Sequence, residues 1–165
     1  MEYFLSVGLK PPFRAAGFVG VFMVESELQP GCVQSTTGVC TGAGSKTASP
    51  INCPNQPQGR GIAQWSYCGK SSNPFQARYN GLLAFAFKHG VKGWAGVANS
   101  LKVQLEYVWH ELTTNSYFQL PAIKSASNID AVVTLVAIYY EGNKYDIPNG
   151  EIFGRQALKV YDQSR

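Results

Sequence analysis

The sequence predicts an α+β fold, mainly helical, with a small β/loop insertion after the first long helix. Three observations carry this. An apolar run from Ala15 to Val24 lies inside a stretch of helical length. Helical spacing of apolar residues returns after residue 74 and persists to the end of the chain. Between the two, residues 31–74 are rich in Gly, Ser, Thr, Asn, Pro and Cys, which is loop composition.

The elements follow in order. The first helix is expected from about Pro12 to Leu28, with proline tolerated in its first turn and "QPG" (Gln29, Pro30, Gly31) stopping it. It would be about 25 Å long and apolar almost all round, hence central and buried. The 31–74 segment is expected to be a cysteine-containing loop with a short hairpin, and "GRGIAQWS" (59–66) is its ordered end. Four helices are then expected, over about 74–89 ended by Gly90, 100–113, 127–141 and 150–163. In the second of these, Leu101, Leu105, Val108 and Leu112 mark the apolar stripe. In the third, Ser127 or Asn128 serves as N-cap, and length favours a helix over a strand for the β-branched run Val132–Ile138.

A chain of 165 residues, 45% hydrophobic, suffices for one domain over 1–165 and not for two comfortable ones. The 15% of charged residues is unlike a disordered tail. The net charge of +4 is diffuse, without a Lys/Arg cluster, which argues against a nucleic-acid partner and suits a polyanionic cell-wall surface. The longest apolar run is about half the roughly 20 residues needed to cross a bilayer, so no membrane insertion is expected. Glu2 and the two prolines, Pro11 and Pro12, speak against a secretion signal in the opening segment. Cys32, Cys40, Cys53 and Cys68 all fall in the loop region. Their wide gaps, without C-x-x-C, argue against zinc and for two disulfides, with three possible pairings; free buried thiols remain open. Disulfides would fit an oxidising setting such as a virion surface.

Acidic residues are few. Between Glu27 and Glu106 there is none. On a helical wheel Glu25 shares its face with Phe18, Val21, Phe22 and Leu28, while Glu27 falls on the far side near Met23. A carboxyl in apolar surroundings has a raised pKa and is suited to donate a proton; a helix-end glutamate reaching into water is the plainer reading. A two-carboxylate glycosidase needs a second acid across the scissile bond, and the loop after Glu25 holds none.

Four ordered elements resemble the phage tail lysozyme family: E-S-x-x-x-P-G (Glu25, Ser26, Pro30, Gly31), G-x-G-I-x-Q-W (Gly59, Gly61, Ile62, Gln64, Trp65), Q-L-x-Y-x-x-x-E-L (Gln104, Leu105, Tyr107, Glu111, Leu112) and an aromatic-Tyr-Glu helix end (Tyr139, Tyr140, Glu141). The E-S and G-x-x-Q pieces are also similar to lytic transglycosylases. The cysteine-containing insertion departs from the family pattern. The resemblance implies a lysozyme-like fold and a virion tail protein acting on the host periplasm and cell wall. Its substrate would be bacterial peptidoglycan, its partners other phage tail proteins, and it would need no cofactor or metal. It implies that Glu25 is the general acid that cleaves the N-acetylmuramic acid–N-acetylglucosamine bond.

The remaining candidates each have two readings. Ser26 back-bonds the helix or touches sugar. Gln64 and Trp65 hold and stack on sugar, or Trp65 fills the core. Gly59 and Gly61 serve a tight turn. Glu141 reaches the cleft, or pairs with Lys144 or Arg155, the latter preferred. Glu106 and Glu111 are expected on solvated faces, with Glu106 and His110 a surface pair. Hydrolysis is preferred to transglycosylation on the whole-chain resemblance; a non-catalytic wall-binding or structural tail module is the rival of another class.

Overall fold

The computed structural model describes residues 1–33, 59–66 and 78–165. In chain order the elements are α1 (Glu2–Ser6), α2 (Pro12–Ser26), β1 (Gly59–Arg60), β2 (Trp65–Ser66), α3 (Arg78–Lys88), α4 (Gly93–Ala98), α5 (Leu101–Thr114), α6 (Leu120–Ser125), α7 (Ile129–Leu135) and α8 (Ile147–Gln163). Short 3₁₀ turns cover Ser116–Phe118 and Lys144–Asp146, and α7 runs into a π-helical turn, Val136–Glu141. The chain divides into two compact units: Met1–Glu27 with Trp109–Arg165, and Leu28–Val108.

In the first unit α2 is the buried helix that its apolar run predicts. Ala15, Ala16, Phe18, Val21 and Phe22 are all fully buried. Pro12 opens the helix, where its missing N–H costs nothing. The stop comes earlier than expected, at Ser26, and glycine is not what makes it. Glu27 and Leu28 both take left-handed backbone conformations (φ 53° and 57°), and the Glu27 N–H caps the Met23 carbonyl at 3.0 Å. The aromatic core is built on α2. Phe18 stacks on Phe4 at 4.9 Å between centroids, and Tyr140 from the π-helical turn lies 6.0 Å from Phe22 and 5.2 Å from Phe118.

Helix α8 approaches α2 backbone to backbone. A Cβ placed on Gly20 would lie 2.2 Å from the Gly150 carbonyl oxygen and 2.7 Å from the Gly154 nitrogen. Only hydrogen fits there. The run Val132–Ile138 is helical, as length and cap predicted: Asn128 Oδ1 accepts from the Ala131 N–H at 2.9 Å.

In the second unit β1 and β2 pair antiparallel, Gly59 with Ser66 and Arg60 with Trp65, and Val33 bridges Arg60 on its other side. The turn between them needs Gly61 at φ 75° and places Gln64 at φ 44°. Gly59 has a different requirement from a positive φ: a Cβ there would fall 2.6 Å from Gln64 Oε1. This hairpin is the small β element of the insertion. Most of the cysteine-containing segment, with Cys40, Cys53 and Cys68, lies outside the described residues.

Helix α5 begins and ends within a residue of expectation, but its buried stripe is different. Leu101 is 40% exposed, while Val103, Gln104, Tyr107, Val108, Glu111 and Leu112 are buried. Two polar residues sit on the inward face because each finds partners there. Gln104 is fully buried; its Oε1 accepts from the Ile62 N–H at 2.9 Å, and its Nε2 donates to the Pro30 and Val97 carbonyls at 2.8 and 2.9 Å. One amide thus ties the start of the loop, the hairpin and α4 together. Among the described residues no helix is long and apolar enough to cross a membrane.

Candidate active site

Glu25 sits in the last turn of α2 and is half-buried. Its helical face is the one occupied by Phe18, Val21 and Phe22, each 0% exposed, whereas Glu27 is exposed. The wheel therefore separated the two carboxylates correctly. Ser26 is buried, and its hydroxyl donates to the Phe22 carbonyl at 3.1 Å, the back-bond that helps close the helix.

The π-helical turn packs against this end of the unit. It carries Tyr140, fully buried, whose hydroxyl donates to Glu111 Oε2 at 2.7 Å. Glu111 is only 7% exposed, which corrects the expectation of a solvated face. A carboxylate tolerates such burial only when donors meet it, and Tyr140 is one. A π-helical turn is uncommon and tends to occur where a side chain must be aimed; here it sets Tyr140 inward and ends at Glu141, which is half-buried. Of the two cations expected near Glu141, Arg155 bonds Asp130 at 2.7 Å and Glu151 at 3.4 Å, and Lys144 lies over the Tyr145 ring at 5.6 Å. The hydrogen bond to exposed Asp130 holds the Arg155 guanidinium above its ordinary pKa.

Gln64 and Trp65 belong to the other unit. The Gln64 amide nitrogen is turned into its own hairpin, donating to the Gly61 carbonyl and to Cys32 Sγ, both at 2.9 Å. Trp65 is fully buried and packs on Tyr107 at 5.6 Å. An indole without exposed area offers no face to a sugar, so its geometry is that of its packing reading. Glu106, expected beside His110, reaches Lys102 at 3.8 Å and His89 at 4.0 Å. Beside the hairpin, Arg60 is 3% exposed, with its guanidinium carbon 5.5 Å from the ring centroids of both Tyr79 and Trp94. Burial lowers its pKa, with Tyr79 acting in the opposite sense. An arginine starts so high that it stays cationic at neutral pH.

Three residues matter more than the sequence reading gave them. Gln104 and Glu111 lie seven apart on one face with Tyr107 and Val108, so a wheel that admitted polar residues to the apolar stripe would have found them. For Arg60 the available signal is an arginine between two glycines in an acid-free stretch. Among the described residues there is no group of three His, Cys, Asp or Glu placed to hold a metal.

No curated protein and no solved structure matches the chain. The model of a protein family does, over nearly its whole length. With a lysozyme-like α+β fold and a glutamate closing its buried first long helix, matched over residues 1–163, the chain belongs to the phage tail lysozyme family, whose members are peptidoglycan-cleaving tail proteins that act on the cell wall.

Proposed function

We propose that this protein is a tail-associated muramidase that hydrolyses the β-1,4 bond between N-acetylmuramic acid and N-acetylglucosamine, opening the wall for genome entry, with residues 1–165 acting as one domain. The observation that carries the reading is the position of Glu25: half-buried, in the last turn of a buried helix, on the face of Phe18 and Phe22. A carboxyl beside apolar side chains is the arrangement that a proton donor of this kind needs. Glu25 gives its proton to the glycosidic oxygen as the C1–O bond breaks. Water adds to C1 of the muramic acid and returns a proton to the Glu25 carboxylate, leaving a reducing end. Glu141 lies on the turn that packs beside α2 and is offered as a group for sugar or water; Gln64, on the hairpin of the other unit, is offered separately as a sugar-holding amide. Ser26 supports the end of α2 through its back-bond, and Trp65 packs within its own unit.

One observation favours a lytic transglycosylase as the second reading. The Leu28–Val108 unit contains a single acid, Glu106, and that one faces Lys102 and His89. In transglycosylation the muramic acid 6-hydroxyl attacks and no second carboxylate is required.

Other tail proteins are proposed as structural partners on the family membership. Disulfides in the insertion are proposed on the clustering of the four cysteines, and among the described residues no cysteine is a free thiol.

The test is mass spectrometry of fragments released from purified peptidoglycan. Reducing ends mean hydrolysis; products lighter by one water mean transglycosylation. Glu25→Gln should lower release about 10²–10⁴-fold without unfolding the protein. Normal release by that variant would remove Glu25 from the chemistry, and no release from folded wild type would favour a wall-binding module.

A further inference from the structure

Arg60 poses a problem of charge. It is 97% withdrawn from solvent, at 3% exposure, yet its Nη1 is buried without a hydrogen-bond partner, and no ion pair to it is found among the described residues. Among the described residues the guanidinium meets two aromatic rings, Tyr79 and Trp94. Cation–π contacts offset part of the desolvation of a buried cation, but they satisfy no N–H donor. Trp94 repeats the pattern from the other side. It is 6% exposed, and its Nε1, a group that can only donate, is also buried without a partner. Among the described residues, two neighbouring donors therefore lack an acceptor. Gln64 Oε1, the unpartnered acceptor of the same hairpin, is bonded to neither.

The unit has no acid to spare for them. Leu28–Val108 contains seven Lys and Arg against the single Glu106, a net charge of +6, while the rest of the chain has seven against nine acids, hence −2. Glu106 already faces Lys102 and His89. An anion suits this charge balance, and a carboxylate, with two acceptor oxygens, could accept from both Arg60 Nη1 and Trp94 Nε1.

We propose that Arg60, Tyr79 and Trp94 form a binding site for a carboxylate, supplied by the peptide stems attached to the glycan. The source rests on the reading of the protein as a peptidoglycan glycosidase; the chemistry of the site does not. Arg60 and Trp94 supply the hydrogen bonds and the rings exclude water around them. The site would make the enzyme's grip on glycan depend on the carboxylates of its peptides.

The test uses the full chain and three probes in calorimetric titration: a reduced disaccharide-tripeptide, the same compound with its carboxyls blocked as methylamides, and reduced di-N-acetylchitobiose, which carries neither peptide nor carboxyl. The free-carboxylate probe should bind about tenfold or more tighter than the other two, an advantage that shrinks as salt rises. Arg60→Gln should abolish the advantage and Arg60→Lys should keep part of it. If Arg60→Gln does not fold, the three probes on wild type still decide. Equal binding of the free and blocked probes, or no binding of any, overturns the site. Tighter binding of a glycerol phosphate oligomer than of the tripeptide probe overturns the carboxylate in favour of a wall phosphodiester. Fragment release without carboxylate preference sinks this site alone; carboxylate preference without fragment release sinks the glycosidase reading and leaves the site standing.

Discussion

Gly20→Ala tests whether the helix that carries Glu25 is held by backbone contact. The added methyl would fall 2.2 Å from the Gly150 carbonyl oxygen, 2.7 Å from the Gly154 nitrogen and 2.9 Å from its Cα. All three are backbone atoms of α8, so no rotamer change relieves the overlap. Restoring ordinary contact requires α2 and α8 to part by about 1 Å. Overpacking of this kind costs about 1–3 kcal/mol, and rigid backbone on the receiving side puts it at the upper end. Alanine returns about 1 kcal/mol of helix propensity over glycine. The net loss is then about 2 kcal/mol, which in a chain of this size lowers Tm by roughly 4–8 °C. Glu25 lies on the same helix beyond Gly20, and a shift of about 1 Å in a reacting group can cost on the order of 10²-fold in rate. Thermal unfolding by circular dichroism reads the first effect, and fragment release at a temperature where the variant is folded reads the second. Lys159→Ala, on the exposed face of α8, serves as control and should stay within about 0.5 kcal/mol of wild type. An unchanged or higher Tm for Gly20→Ala, with normal fragment release, would falsify the backbone contact and the argument that it fixes Glu25.

Three further predictions rest on single contacts. Tyr140→Phe removes the 2.7 Å donor to buried Glu111 and should cost about 1.5–3 kcal/mol in urea unfolding; adding Glu111→Gln should cost less than the sum of the two single changes, and strict additivity would mean that the pair is not coupled. Gln104→Leu strips partners from Ile62 N–H and the Pro30 and Val97 carbonyls, and at about 1–3 kcal/mol for each buried group left unpaired it should rank among the most damaging changes; a loss under about 1 kcal/mol would show that water replaces the amide. Reductant should lower Tm if the insertion is bridged, and alkylation of all four cysteines without reductant would show free thiols instead.

The parts of the fold legible in the sequence are those decided locally. Helix α2 declares itself because its burial follows from ten consecutive residues, Ala15 to Val24, and Asn128 because a cap bonds three residues ahead. What could not be read depended on partners far away in the chain. Gln104 turns inward because Pro30 and Ile62, 74 and 42 residues away, present backbone groups to it. Glu111 does so because Tyr140, 29 residues on, supplies a hydroxyl. A periodicity argument classes both as outward by residue type, and so chose Leu101 and Leu105 for a stripe that Gln104 and Glu111 share. The end of α2 was misjudged for a related reason. Glu27 and Leu28 adopt positive φ, a conformation that propensity assigns to glycine, so the stop was placed at "QPG".

The candidate site shows the same division. The position of Glu25 was legible because it is a property of one helix: a carboxyl on the face that carries Phe18, Val21 and Phe22. Arg60 was not, because its meaning lies in what is missing around it. The whole-chain charge of +4 reads as a mild, diffuse excess. Resolved by unit it becomes +6 against −2, and within the positive unit the lone acid is already engaged. A buried guanidinium in such a unit cannot be neutralised from within, whereas Arg155, with Asp130 and Glu151 beside it, is an ordinary surface cation. The two arginines are indistinguishable as letters. Their difference is fixed by which acids the fold leaves within reach, and that makes the supply of anions in a structural unit a better guide to function than its count of cations.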